Sequence, residues 1–131
     1  MERKQLKPLR WIGSSHKDLK SFPPKVRSDI GYALYAAQNG DTDPAAEPMK
    51  GFGGGASVME IVAPFAGDTW RAVYTVRFKG VVYVLHAFQK KSKSGRATPK
   101  KEIDLIHHRL AAAEKDYKER QEQNEDQKRN H

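Results

Sequence analysis

From Thr69 to Lys101 the chain runs for 33 residues without an Asp or Glu, yet it holds Val73, Val76, Val81, Val82 and Val84 beside nine Lys and Arg residues. β-Branched side chains at that density favour the pleated, half-buried surface of a sheet rather than a solvated basic tail. Lys79-Gly80 between two such runs reads as a two-residue hairpin turn, because glycine at the second position accepts a positive φ. The turn sets the register. Phe78 should face Val81, Val76 face Tyr83, Tyr74 face Leu85 and Ala72 face Ala87, which makes one apolar side. Arg71 opposite Phe88, Val73 opposite His86 and Arg77 opposite Val82 make the other, and Lys90 joins them if the last strand continues.

Three strands are predicted in all: Ser57 to Ala63, Thr69 to Phe78 and Val81 to Gln89. Upstream, Leu6 to Gly13 reads as a short first strand, and Ser15 with Asp18 three residues on resembles a cap for a helix that buries Leu19 and Phe22. Pro24 suits the first turn of a second helix, whose stripe of Val26, Ile30, Ala33, Leu34 and Ala37 stops at Asn39-Gly40. Gly40 to Ala56 is a Gly- and Pro-rich loop. Its Gly51-Phe52-Gly53-Gly54-Gly55 run lacks the Gly-Lys-Ser/Thr ending and the preceding strand of a phosphate-cradling loop. Thr98-Pro99 opens a third helix with a stripe of Ile103, Ile106, Leu110 and Ala113. The expected fold is α+β: a small, antiparallel-rich twisted sheet, an N-terminal helical hairpin on one face and a C-terminal helix. Residues 1–113 form the domain, and 114–131 are a charged helix end or a disordered tail.

From Glu114 on, five basic residues meet six acidic ones, so the chain's +8 net charge belongs to the domain, at about +9. A structured surface of one sign faces a polyanion. Without cysteine there are no disulfides or thiolate metal sites. No apolar run approaches the roughly 18 residues that span a bilayer, and Met1 to Arg10 is too polar for a signal peptide, so a cytoplasmic protein with no membrane partner is expected.

Arg71 and Lys90 converge on one sheet face, with Lys91, Lys93 and Arg96 in the adjoining segment and Lys50 in the loop before the three strands. Rigidly held cations of this kind bind a phosphodiester, and they also stabilise the added charge of a phosphorane without a metal. A lysine crowded by cations has its proton loosened and suits general-base work on a ribose 2′-hydroxyl. Phosphate binding alone is the commoner outcome for a basic patch. Phe88 stacks on a base or belongs to the core; His86 moves a proton or is structural. His107-His108 lack partners for a metal site, and neither a metal nor another cofactor is expected.

The order strand, two helices, three strands, helix carries Glu47-Pro48-Met49-Lys50 before the sheet, Trp70-Arg71-Ala72-Val73-Tyr74 within it and Leu85-His86-Ala87-Phe88-Gln89-Lys90-Lys91-Ser92 at its end. With Thr98-Pro99 following, this resembles the RelE/HigB toxin superfamily, closest to its phage-derived HigB-like branch, over about residues 6 to 113. The resemblance implies a type II toxin that enters the ribosomal A site, cuts translated mRNA there without a metal, and is neutralised by a cognate antitoxin, a small helix-turn-helix DNA-binding protein. It implies that Arg71 stabilises the scissile phosphate, that Lys90 and Lys91 close the last strand, that Lys50 is the basic loop residue and that Glu47 stands where some relatives place a catalytic carboxylate. Arg77, Phe88, Lys93 and Arg96 would bind RNA. The chain departs from several relatives in lacking their His-Tyr or Tyr ending, which leaves Lys90, Lys91 and His86 as candidates for acid and base. The other class of function compatible with these residues is a non-catalytic RNA- or ribosome-binding module.

Overall fold

The computed structural model of the chain describes residues 5–90 and 98–129. Its elements are β1 (Leu9–Trp11), α1 (Ser15–Lys20), α2 (Pro24–Gln38), β2 (Ala46–Pro48), β3 (Val58–Phe65), β4 (Asp68–Thr75), β5 (Val82–Lys90) and α3 (Lys100–Arg129). The sheet order is β1-β5-β4-β3-β2; β1 runs parallel to β5 and every other pair is antiparallel. This is the expected α+β architecture. β2 is an addition, formed inside the stretch that reads as loop.

Both helices of the hairpin form where their apolar spacing places them. Val26, Ile30, Ala33, Leu34 and Ala37 are all buried along α2, against Ile61, Ala72, Tyr74, Val84 and Ala87 of the sheet. Gly40 ends α2 at φ +84°, a conformation that an L side chain resists. The cap of α1 is Ser14 rather than Ser15. Ser14 carries the side chain that donates to Asp18 Oδ2, while Ser15 sits in the helix and donates its hydroxyl to the Val84 carbonyl.

The expected β4–β5 register holds from Thr69 opposite Lys90 to Val73 opposite His86 and then slips by one residue. Leu85 is the extra residue of a β-bulge, so Tyr74 faces Val84 instead of Leu85. Leu85 therefore packs with Val73, Tyr83, Ile106 and Ala113 under α3, on the face opposite the hairpin. β4 also stops earlier than expected. The Thr75 hydroxyl accepts a hydrogen bond from the Arg77 amide, and Phe78 to Val81 makes a turn with a positive φ at Gly80 only, so the pairs at Val76, Arg77 and Phe78 do not form. Such a turn splays its flanking strands, unlike the primed turns that continue a ladder. The tight hairpin lies one connection earlier. Phe65 pairs with Asp68 across Ala66-Gly67, both in the left-handed region.

α3 runs 30 residues, well past the charged boundary at Glu114. Tyr117 packs on Phe78 and donates to the Lys79 carbonyl, and Asp116 accepts from the Tyr83 hydroxyl, so the first turn beyond Ala113 still grips the sheet.

Candidate functional site

Alternation along the strands puts Glu60 of β3, Arg71 and Val73 of β4, and His86, Phe88 and Lys90 of β5 on the face that α3 only partly covers. Arg71 lies in a central strand between Val62 and Phe88, and Lys90 is the last residue of β5, opposite Thr69. The guanidinium of Arg71 donates through Nη1 to Glu60 Oε1 at 2.7 Å, and the other oxygen of Glu60 accepts from Thr98 Oγ1 at 3.2 Å. Glu60 and Arg71 are only 5% and 9% exposed, so the pair is a buried, hydrogen-bonded ion pair that also ties β3 to Thr98, two residues ahead of α3.

Lys90 has no such partner. It is 9% exposed, and its ammonium finds no acceptor among the described residues; nor does Nε of Arg71. Burial first, and the Arg71 charge second, push the Lys90 pKa below the ordinary lysine value, with the Glu60 carboxylate pulling the other way. A buried cation beside another, with one carboxylate already engaged, leaves positive charge that an incoming anion can balance. Arg71 and Lys90, singled out from sequence, are thus brought together.

Glu47 and Lys50 stand one strand further out, both exposed. Glu47 lies directly across β2–β3 from Glu60, two strands from Arg71 and two residues along, roughly 12 Å between Cα positions. Between them opens a groove of about 750 Å³ whose lining includes Glu47, Pro48, Met49, Lys50, Arg71 and Ile103.

His86 is placed beside this centre but is occupied. Its Nε2 meets Glu102 of α3 and its Nδ1 meets Arg109 Nη1 at 3.2 Å. Because a guanidinium only donates, Nδ1 is the acceptor and Nε2 carries the ring proton toward the carboxylate. Arg109 further binds the Leu85 carbonyl and Ser14 Oγ, and it lies so close to Gly13 that a Cβ there would come within 2.8 Å of its Nε. Glycine is favoured at that point, where φ is +58° and a Cβ would push on the guanidinium. His86 is therefore a strut between β5 and α3. Phe88 stacks on its ring at 4.8 Å and packs into the α3-side core, which makes it a half-buried core aromatic.

Arg77 departs from the expected cluster. It lies past the end of β4, six residues from Arg71, and approaches Glu114 of α3 at 4.0 Å. Lys91, Lys93 and Arg96 lie outside the described residues. Within the glycine run, Phe52 stacks on His107 of α3 at 4.1 Å. Glu102, Arg109 and Thr98 join the site through contacts that the chain order does not show. The spacing Glu102, Ile106, Arg109 along one face of α3 carries the signal, since two charges flanking a buried Ile must meet polar partners in the sheet.

No helix among the described residues is long and apolar enough to cross a membrane. No curated protein matches the chain. The sequence pattern described as phage-derived protein Gp49-like (DUF891) matches residues 17–111, from α1 through the apolar part of α3 and including every residue of the centre just described. The chain belongs to this Gp49-like family, a family of RelE/HigB-like toxin type.

Proposed function

We propose that the protein is the toxin of a type II toxin-antitoxin pair, of the phage-derived HigB-like branch: a cytoplasmic, ribosome-dependent, metal-independent endoribonuclease that cuts translated mRNA in the A site. The observation that carries this reading is the buried Lys90 ammonium beside Arg71, without an acceptor among the described residues. Its lowered pKa raises the fraction of neutral amine that accepts the proton of a ribose 2′-hydroxyl. The freed oxygen attacks the adjacent phosphorus, the bond to the 5′ oxygen breaks, and that oxygen leaves with a proton from solvent. Arg71 holds the phosphorane charge; Glu60 and Thr98 keep the guanidinium in place. Lys50 and Glu47 contact neighbouring nucleotides on the groove's rim. With His86 engaged at both nitrogens, the acid and base set is short, and positioning of the message by the ribosome supplies the rest. An antitoxin, a small helix-turn-helix protein, masks the basic face.

That same engagement of His86 favours a second reading, a basic RNA- or ribosome-binding module without catalysis. Primer extension on mRNA translated by purified ribosomes separates the two. Removing Arg71 alone strands the buried Glu60, so Arg71→Ala is tested in a Glu60→Gln background, with Glu60→Gln as reference. Discrete cuts inside codons, lost in the double variant, are expected. Intact mRNA with wild-type protein bound to ribosomes would establish the binding module instead.

A further inference from the structure

The groove between β2 and the start of α3 shares Arg71 and Glu60 with the centre and extends it outward to Glu47 and Lys50. Among the described residues its ionisable lining is Glu47 and Glu60 against Lys50 and Arg71, two charges of each sign within a domain of about +9. Away from Arg71 and Lys90, the outer part of the groove is not a cation cluster. It offers acceptors and donors side by side, between the apolar walls of Met49, Pro48 and Ile103. Flat apolar walls with convergent donors and acceptors fit a neutral, planar, heteroatom-rich ring. At its inner end stands Arg71, nine-tenths buried, with Nε unpaired among the described residues. At its outer end Glu47 and Lys50 have no ion pair among the described residues, and they flank Pro48-Met49 at the rim.

We infer that this groove is a base-selective subsite for a nucleotide next to the scissile phosphate, and that the base it selects is guanine. The inference rests on the endoribonuclease reading above. A carboxylate only accepts hydrogen bonds. Guanine alone among the four bases presents two adjacent donors, N1–H and the 2-amino group, to which one carboxylate binds bidentately; Glu47 supplies it. Guanine O6 and N7 accept from an ammonium, which Lys50 supplies. Uracil offers one donor, N3–H, flanked by two carbonyl oxygens that repel the second carboxylate oxygen, while adenine and cytosine offer one amino donor beside an acceptor nitrogen. Glu47 is exposed on an edge strand, so replacing it does not disturb the core.

The test uses the full chain, with methyl resonances of Met49 and Ile103 followed during titration with each of the four ribonucleoside 5′-monophosphates. Guanosine monophosphate is expected to bind about tenfold more tightly than uridine monophosphate, the discrimination of one good bidentate contact. Glu47→Gln, which swaps one acceptor for a donor, is expected to erase that preference, and guanosine without phosphate is expected to keep it. Equal binding of all four nucleotides, or a guanine preference unchanged in Glu47→Gln, would overturn the subsite. The companion cleavage assay keeps the two readings apart. Guanine preference without mRNA cutting would support the subsite and sink the toxin reading, whereas cutting with no preference that Glu47→Gln alters would sink the subsite alone.

Discussion

The two faces of the sheet solve different problems. Under α1 and α2 the face is a continuous apolar layer in which Ile30, Ala33, Leu34, Ile61, Ala72 and Val84 are almost wholly buried. Under α3 the apolar layer occupies only the middle, around Val73, Leu85 and Ile106, and passes into a polar end that holds Glu60, Arg71, His86 and Lys90. Burial of charge is costly, and on this second face it is compensated unevenly: Glu60 with Arg71 and Glu102 with His86, but Lys90 with nothing described. The comparison teaches that the hairpin side is closed by continuous apolar packing, whereas the α3 side keeps an uneven balance of buried charge at its polar end. Protein chemistry at a site commonly carries such a penalty.

That contrast breaks first where the effect is largest. Ile30→Ala removes a fully buried side chain from the hairpin layer and is expected to lower unfolding free energy by about 2–5 kcal/mol, read by urea denaturation. Cleavage per folded molecule should not change, and a selective loss of cleavage would show that the layers are not separable. Lys90→Met has the opposite signature. It keeps the stem and deletes the ammonium, so cleavage on ribosomes is expected to fall about a hundredfold or more while stability is unchanged or raised. The sign with pH follows from the lowered pKa: the unfolded chain holds the Lys90 proton more tightly than the folded one, so the native state gains stability as pH rises from that lowered value toward 10.5. The stability gap between Lys90→Met and wild type should therefore narrow across that range.

Much of this contrast is legible in the sequence because it is local. The α2 stripe follows from periodicity, and the pairing of Arg71 with Phe88 follows from the register counted from Lys79-Gly80, which the bulge at Leu85 leaves intact at that end of the ladder. What is not legible is where local patterns are degenerate. Val81 to Leu85 is apolar at every position, so parity says nothing about which residue faces which layer, and the bulge at Leu85 has no sequence mark. β2 is three residues long, too short for an alternation to register, yet it is the strand that carries Glu47 to the groove. The parallel partner of β1 and the Glu102–His86–Arg109 contact join positions far apart in the chain, which spacing does not encode. Arg77 leaves the Arg71 face for a related reason: the ladder that Lys79-Gly80 would extend ends where the Thr75 hydroxyl accepts from the Arg77 amide.

The smallest expected effect sharpens the comparison most, because it concerns a polar group on the α3 face that is satisfied. The Tyr83 hydroxyl donates to Asp116 Oδ2 at 2.6 Å, and Arg120 Nε donates to the same oxygen at 2.9 Å. Burial, together with the bond to Asp116, raises the Tyr83 pKa well above the phenol value. For Asp116, burial pushes the pKa up, but the hydrogen bonds from Tyr83 and Arg120 outweigh it and hold the carboxyl below its usual 3.8. A depressed carboxylate contributes stability that is fully present above the unfolded pKa and is lost as pH falls through the folded one. Tyr83→Phe is thus expected to lower stability by about 1 kcal/mol or less near neutrality, since the Asp116 side chain is 34% exposed and its share is screened by salt. The difference from wild type should fade in denaturation series below pH 4, and cleavage should be untouched. If Tyr83→Phe instead reduced cleavage as Lys90→Met does, the distinction between satisfied and unsatisfied polar groups would not locate function on this face. Its polar end and its apolar middle would then act as one unit.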